Sequence, residues 1–284
     1  MKKLVLGYIY SGKELGVDEI FFKKVAKRKN IEPVLISTTE WTNINDLKEK
    51  VKNCNIIYNS SAEDFSIETE KTIEEIGKRI IDSSKAYYYS EDKWMFFLKC
   101  QEHGISVPKT ILLSENVSIS KKDLMDFNQW PVVLKRVVGT MGQFVEKADN
   151  IKEAGKIMKK FWEKGSEKLP IIAQEYIPSS SYRVTVFGNK IVQTALKENK
   201  GWKATGVYAK RIKRFPVDEE LKKIVNRIMK FIDINVCGID FLKKDGKWIA
   251  LEVNSTPAFD FFKCDREKMS EELVDLLVKL SKKN

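Results

Sequence analysis

Histidine and cysteine are scarce in this sequence. Its 284 residues include one histidine and four cysteines, and the cysteines (Cys54, Cys100, Cys237 and Cys264) are widely spaced without a CxxC pair. This pattern excludes a disulfide framework and a common zinc site, and it predicts reduced thiols in a cytoplasmic protein. The apolar stretch within "MKKLVLGYIYSGKE" is short and continues as a strand, so we expect neither a secretory signal nor a membrane span.

Several familiar motifs are also missing. No G-x-G-x-x-G follows the first strand, and the chain has no Walker A loop because G-K-[ST] is absent, so a dinucleotide fold and a P-loop are disfavoured. A Ser/His/Asp triad is excluded as well, since the single histidine, His103, lies at the end of a helix before Gly104 and is predicted to be structural.

Acidic residues are outnumbered beyond residue 90. The net charge is +11, and residues 91–284 carry 36 Lys and Arg against 26 Asp and Glu. This excess of positive charge suits an anionic ligand, whereas a surface that keeps the protein in solution is the plainer explanation. The densest basic cluster lies in "AKRIKRFP" and suits either recruitment of a polyacidic acceptor or a solvated loop. Nucleic acid is disfavoured as a partner because no binding motif is recognisable.

The first 90 residues alternate strands and helices. We predict strands in "KLVLGYIY", "EPVLIST", "CNIIYNSS" and "KAYYYS", with helices at 17–29, 45–52 and 67–80. Strands spaced by helices predict a parallel sheet with right-handed crossovers.

From Ser90 onward, hairpins dominate the pattern. We predict a helix in "EDKWMFFLKCQEHG", a Pro-containing strand in "ISVPKTILL" and two strands around the glycine turn of "WPVVLKRVVGTMGQFVEKA". A helix at 151–164, a strand in "PIIAQEYI" and a hairpin turning at Gly188 follow. Helices at 218–232 and 270–280 flank a second hairpin, "CGIDFLKKDGKWIALEVN".

Three polar residues share one face of that second hairpin. If Ile239 and Phe241 face the core together with Ile249, Leu251 and Val253, then Asp240, Glu252 and Asn254 lie opposite. In an antiparallel hairpin, the residue numbers of facing residues have a constant sum. Pairing Asp240 with Glu252 sets that sum to 492, which predicts a three-residue turn or a bulge at 244–247. Two carboxylates and an amide oxygen suit Mg²⁺, although an ordinary solvent-facing hairpin carries similar residues.

A buried-looking lysine precedes a glycine loop. Lys135 interrupts the apolar strand "PVVLKRVV", where a lysine is costly unless it meets an anion or reaches solvent. The following "GTMGQF" brings backbone N–H groups within reach of phosphate oxygens, or it is an ordinary hairpin turn.

The order of these motifs resembles the ATP-grasp superfamily, and most closely its RimK-like carboxylate–amine ligases. The resemblance covers most of the chain, and the ending "GIDFL…LEVNSTPA" is similar to the family pattern G-[VI]-D…E-V-N-[AS]-[ST]-P-G. It implies an α/β and α+β architecture, in which a Rossmann-like pre-ATP-grasp domain (1–89) precedes a two-lobed ATP-grasp fold. The lobes are expected at 90–177 and 178–284.

The resemblance also implies roles for individual residues. Lys93, Lys135 and the loop of Gly139, Thr140 and Gly142 are expected to bind the ATP phosphates. The adenine edge is expected to bind the backbone of Glu175, Tyr176 and Ile177. Arg183 is expected against the γ-phosphate, and Lys203 occupies the Arg position of the W-R-[ST]-N motif. Mg²⁺, or Mn²⁺ in its place, is expected as two ions on Asp240, Glu252 and Asn254.

Besides Lys203, which stands in place of Arg, this sequence departs from the family pattern at five positions. The acid expected on the ribose is Ser181, and the third loop glycine is Phe144. Toward the substrate, Thr205 replaces Asn, Tyr208 replaces Arg, and Ala258 replaces the closing Gly. The nucleotide elements are thus mostly intact, whereas the substrate region is altered.

The expected function is an ATP- and Mg²⁺-dependent ligase that joins an amino acid, such as glutamate, to a carboxylate through an acyl phosphate. The acceptor is left open between a small molecule, a cofactor and an acidic peptide tail, and self-association is left open too. A grasp-fold nucleotide-binding or regulatory protein without ligase activity is the alternative.

Overall fold

The computed structural model describes residues 3–40, 43–139, 142–163, 168–198, 201–203 and 209–282. Its first element group is a parallel sheet with strand order β2-β1-β3-β4. Burial of β1 on both faces explains its continuous apolar sequence. The elements are β1 (Val5–Tyr10), α1 (Val17–Arg28), β2 (Glu32–Ser37), α2 (Ile44–Val51), β3 (Ile56–Asn59), α3 (Asp64–Glu75), β4 (Ile80–Ile81) and α4 (Ser84–Glu91).

A second, antiparallel sheet follows, with strand order β5-β8-β6-β7. The helix leading into it begins at a strong cap, because the Asp92 carboxylate accepts hydrogen bonds from the N–H groups of Trp94 and Met95. The elements are α5 (Lys93–Glu102), β5 (Thr110–Leu112), α6 (Val117–Phe127), β6 (Val132–Arg136), β7 (Val145–Ala148), α7 (Ile151–Glu163) and β8 (Ile171–Glu175).

The third sheet is antiparallel and has the order β11-β10-β9-β12-β13. Helix α8 covers one face with Leu221, Val225 and Ile228, and the other face is turned toward the second sheet. The elements are β9 (Ser181–Phe187), β10 (Lys190–Glu198), β11 (Arg211–Lys213), α8 (Glu219–Ile232), β12 (Val236–Lys244), β13 (Lys247–Asn254), a 3₁₀ turn (Lys263–Asp265) and α9 (Arg266–Ser281).

The C-terminal helix α9 returns to the first sheet. Its Met269, Leu273 and Leu277 share a buried cluster with Tyr8 and Phe22. Surface ion pairs such as Arg28–Glu271 (3.1 Å) border this contact. Each sheet draws its strands from one of the three predicted sequence ranges, but the first core is completed by the chain's last helix.

Two predicted elements need correction, and two further elements were missed. The segment "KAYYYS" is part of helix α4, capped by Ser83, and the fourth strand is β4, which also takes Ile80 out of the predicted helix at 67–80. Helix α6 and the short edge strand β11 were not predicted. No helix in the described part of the chain is long and apolar enough to cross a membrane.

The β12–β13 hairpin confirms the pairing of Asp240 with Glu252 but not the expected place of the irregularity. Asp245 and Gly246 form a two-residue turn with φ values of 51° and 77°, which is typical of hairpins. The bulge lies instead at Leu251, since Phe241 pairs with Ala250. Ile249 and Leu251 therefore pack with Leu242 and not, as predicted, with Ile239 and Phe241.

Candidate active site

A cavity of about 670 Å³ opens between the second and third sheets. Its walls include every described residue to which the family resemblance assigns a role; Thr140 lies outside the described residues. The predicted residues on its walls are Lys93, Lys135, Gly139, Gly142, Glu175, Tyr176, Ile177, Arg183, Lys203, Asp240, Glu252 and Asn254.

Two lysines face one end of this cavity. Lys93 begins α5, and its ammonium donates to the Gly139 carbonyl at 2.9 Å, which ties the helix to the glycine loop. Lys135 is only 5% exposed, and the described part of the chain gives it no hydrogen-bonding or ion-pair partner. Burial lowers the pKa of Lys135 to about 8, with Glu252 opposing and Lys93 reinforcing the shift. An anion bound beside Lys135 would favour the charged form of this lysine and raise its pKa again.

The glycine loop begins and ends in conformations that glycine favours. Gly139 has φ of 142° and Gly142 has φ of 70°. Phe144, where the family has glycine, also adopts a left-handed φ of 51°. Its ring packs edge-on against Phe161 (5.7 Å between centroids) and lies 3.6 Å from the Arg136 guanidinium. These contacts offset the backbone cost of a phenylalanine at that φ.

The segment after β8 carries the predicted adenine hinge. The Glu175 carboxylate accepts from the Lys109 N–H at 3.0 Å and from the Lys244 ammonium at 2.6 Å, so its side chain is already paired. The Tyr176 N–H donates to Pro131. Within the described residues the Ile177 N–H bonds to no carbonyl, which leaves it free for a ligand.

Arg183, Asp240 and Lys197 form a buried ion cluster on the floor of the cavity. Arg183 donates to Asp240 through Nε and one terminal nitrogen, both at 2.7 Å, and the Lys197 ammonium donates at 2.9 Å. Burial alone would raise the pKa of Asp240, but the two cations hold it well below its usual range. Burial lowers the pKa of Lys197, and the Asp240 carboxylate opposes that shift.

Sheet register brings this cluster together. Arg183 pairs across β9–β12 with Asp240, which pairs across β12–β13 with Glu252. Gly238 and Asn254 occupy the neighbouring row.

Glu252 and Asn254 present free oxygens beside the cluster. Among the described residues, Glu252 has no hydrogen-bond or ion-pair partner, and the Asn254 amide nitrogen faces the Gly238 carbonyl at 3.4 Å, so its oxygen points away. These hard oxygen donors fit Mg²⁺, with a remaining Asp240 lone pair as a further ligand. The described residues contain no cluster of three or more His, Cys, Asp or Glu that could hold a metal.

Comparison with known proteins identifies the family. The profile of the RimK-like ATP-grasp domain matches residues 90–277, about two thirds of the chain. The chain belongs to the RimK-like ATP-grasp family.

Relatives in this ATP-grasp family are named as ligases. A coenzyme gamma-F420-2:alpha-L-glutamate ligase of Methanococcus maripaludis is 25% identical over 226 residues, which is 77% of each chain. A probable alpha-L-glutamate ligase of Histophilus somni is 25% identical, and the match covers 63% of this chain and 60% of that protein.

Solved structures agree on the ATP-grasp fold. A RimK-domain ATP-grasp protein from Sphaerobacter thermophilus superposes with a TM-score of 0.76 at 13% identity, covering 96% of this chain and 99% of the other. The D-alanine–D-alanine ligase of Bacillus anthracis complexed with ATP gives 0.74 at 16% identity, covering 98% and 97%. The predicted fold class is thereby confirmed at the level of the ATP-grasp fold.

The family departures differ in their structural context. Ser181 is fully buried, its hydroxyl has no partner among the described residues, and it does not line the cavity. Ala258 lines the cavity, as do the apolar side chains of Phe261, Trp202 and Ile212. Thr205 and Tyr208 lie outside the described residues.

Two residues in this ATP-grasp site were not predicted. Lys197 reaches Asp240 from β10, and Glu91, at the end of α4, accepts from the Ser255 N–H (3.2 Å) and hydroxyl (2.9 Å). Glu91 thereby holds the segment that follows the Asn254 strand. A signal for Lys197 was present in the sequence, because it continues the inward row of Gln193 and Ala195.

Proposed function

We propose that this chain is an ATP- and Mg²⁺-dependent carboxylate–amine ligase that activates a carboxylate as an acyl phosphate and joins it to an amino acid. The observation that carries the proposal is the convergence of phosphate-binding lysines, a glycine loop, a free hinge N–H and three oxygen donors on one cavity. Family membership points to the same class of reaction.

In the first step the substrate carboxylate attacks the γ-phosphorus, the bond to the bridging oxygen breaks, and ADP leaves. Lys135 and Lys93 hold the phosphates, and the glycine loop covers them with backbone N–H groups. When bound on Glu252, Asn254 and Asp240, Mg²⁺ offsets the charge of the transferring phosphoryl group. Lys135 has no competing partner in the described chain, so its charge is available to the nucleotide.

In the second step the amine nitrogen attacks the acyl carbon, the C–O bond to phosphate breaks, and the proton of the amine passes to solvent. Arg183 is held rigidly by two hydrogen bonds to Asp240, so its remaining nitrogen is oriented for the acyl phosphate without reorganisation. No side-chain nucleophile is needed, consistent with the four cysteines, all of them described, lying off the cavity walls.

Glutamate is the first amino acid to test, because both relatives described above carry alpha-L-glutamate ligase in their names. The side chains of Phe261, Trp202 and Ile212 also line the cavity, and they suit the carbon skeleton of an acceptor. In the basic cluster, Lys213 pairs with Glu198 and Arg214 with Asp265, which leaves less positive charge for a polyacid than the sequence alone indicates.

A nucleotide-binding protein without ligase activity is the second candidate. Ser181 favours it, because the residue at the position where the family has an acid for the ribose is fully buried and does not line the cavity. Nucleotide binding without turnover, across a panel of acids and amines, would support this candidate.

The direct test is ADP release that depends on both an acid and an amine, with products identified by mass spectrometry. Glu252→Gln removes one metal-binding charge and is expected to lower kcat at least 100-fold. Glu252 is a better target than Asp240, since truncating Asp240 would strand two buried cations. Glu146→Gln, on the edge strand β7 outside the cavity, is the matched control and should retain full turnover. Unchanged turnover in Glu252→Gln would refute the proposed mechanism.

A further inference from the structure

Lys197 is an unusual residue for the floor of a metal site. It is 1% exposed, and its ammonium lies 2.9 Å from Asp240 Oδ1 and 6.0 Å from the ring centroid of Phe261. A lysine this deeply buried needs an anionic partner, and Asp240 is the carboxylate that supplies it.

The hydrogen bonds of Asp240 limit what else it can bind. Oδ1 accepts from both Arg183 Nε (2.7 Å) and Lys197 (2.9 Å), and Oδ2 accepts from a terminal nitrogen of Arg183 (2.7 Å). An ionised carboxylate offers about four lone-pair sites. Three are therefore used, and the remaining one lies on Oδ2.

The two neighbouring candidate metal ligands, in contrast to Asp240, have oxygens without hydrogen-bond partners in the described chain. Glu252 has no partner within the described chain, and the Asn254 oxygen is turned away from Gly238. These two residues, with the last Asp240 lone pair, can hold one divalent ion. Glu252 keeps lone pairs for a second ion, but that ion would lie beside the Lys197 ammonium and the Arg183 guanidinium, whose two charges already balance those of Asp240 and Glu252, and like charges would repel it.

We propose that Lys197 supplies through its ammonium the positive charge of a second metal ion, so that this site holds one tightly bound divalent ion per nucleotide. This inference rests on the nucleotide site proposed above, and it departs from the two ions implied by the family resemblance. The ammonium reaches Asp240 from strand β10, so the charge is built into the sheet and does not depend on metal concentration.

The test counts Mn²⁺ bound to the full-length protein in the presence of a non-hydrolysable ATP analogue. Free Mn²⁺ is measured by electron paramagnetic resonance, and bound analogue is measured separately by equilibrium dialysis. The wild-type protein is expected to bind one tight Mn²⁺ per bound nucleotide. Lys197→Met, which keeps the side-chain length without the charge, is expected to gain a second Mn²⁺ with at least tenfold higher affinity than any second ion on the wild type.

Lys190→Met is the matched control, because Lys190 lies on the same strand but pairs with Glu272 outside the cavity. The Lys190→Met protein should still bind one tight Mn²⁺ per bound nucleotide. Two equally tight ions on the wild type, or no added ion in Lys197→Met, would overturn the inference while leaving the ligase proposal intact. Absence of nucleotide binding in every variant would instead overturn both. If Lys197→Met fails to fold, the wild-type count decides alone.

Discussion

Replacing Gly238 with alanine would disturb Arg183 without removing any charged group. A Cβ atom at this position would lie 2.6 Å from a terminal nitrogen of Arg183, 2.9 Å from its Cδ and 3.2 Å from Pro257 Cβ. Because ordinary contact begins at 3.4 Å, Arg183 must move by about 0.8 Å. A shift of that size stretches its 2.7 Å bonds to Asp240 to the limit of a hydrogen bond.

The cost follows from that geometry. If the displaced Arg183 no longer meets the transferring phosphate, the transition state loses one charged hydrogen bond, worth about 2–3 kcal/mol, which corresponds to a roughly 30- to 150-fold fall in kcat/KM. The assay is acid- and amine-dependent ADP release, with thermal unfolding measured in parallel. Gly155→Ala is the matched control, since its Cβ would also meet an atom at 2.6 Å, but that atom is the mobile end of Lys121. We expect full activity there and slightly higher stability, because alanine favours a helix over glycine. A kcat/KM within threefold of wild type in Gly238→Ala would refute the claim that Arg183 is rigidly placed.

Two further predictions concern the cavity walls. Protonated Lys135 binds phosphate, and its pKa of about 8 in the free protein means that affinity for an ATP analogue should fall about tenfold between pH 7 and pH 9. Calorimetry at both pH values checks this, and Lys135→Arg should abolish the pH dependence because arginine does not titrate there; a flat wild-type profile would contradict it. Ser255→Ala removes the hydroxyl donor to the half-buried Glu91 and should lower the unfolding temperature by about 2–5 °C. Scanning calorimetry measures that change, and an unaltered transition would show that the bond contributes nothing.

The parity argument correctly predicted which residues of the hairpin face each other at the site, but it did not predict where the hairpin is irregular. The index sum correctly paired Asp240 with Glu252, because side chains of facing residues must share a face. Parity requires one extra residue on β13 but does not fix where it lies. The Asp245–Gly246 pair favours a two-residue turn, so the extra residue moved to Leu251, next to the site itself.

Tertiary packing explains the other differences. The aromatic run of "KAYYYS" is typical of a strand, but the Ser83 cap and the burial of Ala86 and Ser90 make it a helix. Helix α6 carried a readable signal in Asn116, whose side chain caps it, whereas β11 has only three residues. Ion pairing between Lys197 and Asp240 joins residues 43 positions apart and is visible only once the strand order is known.

The register of the third sheet accounts for the composition of the cavity floor. Asp240 pairs with Arg183, and the next residue outward in that row is Ala195, which is small enough for Lys197 to reach across from the adjacent row. On the other side, Gly238 leaves the space that the Arg183 side chain fills. The charged residues therefore depend on the size of their small neighbours as much as on their own chemistry. A larger side chain at position 195 or 238 would push a cation away from Asp240 and leave that carboxylate buried with fewer partners, which is strongly destabilising.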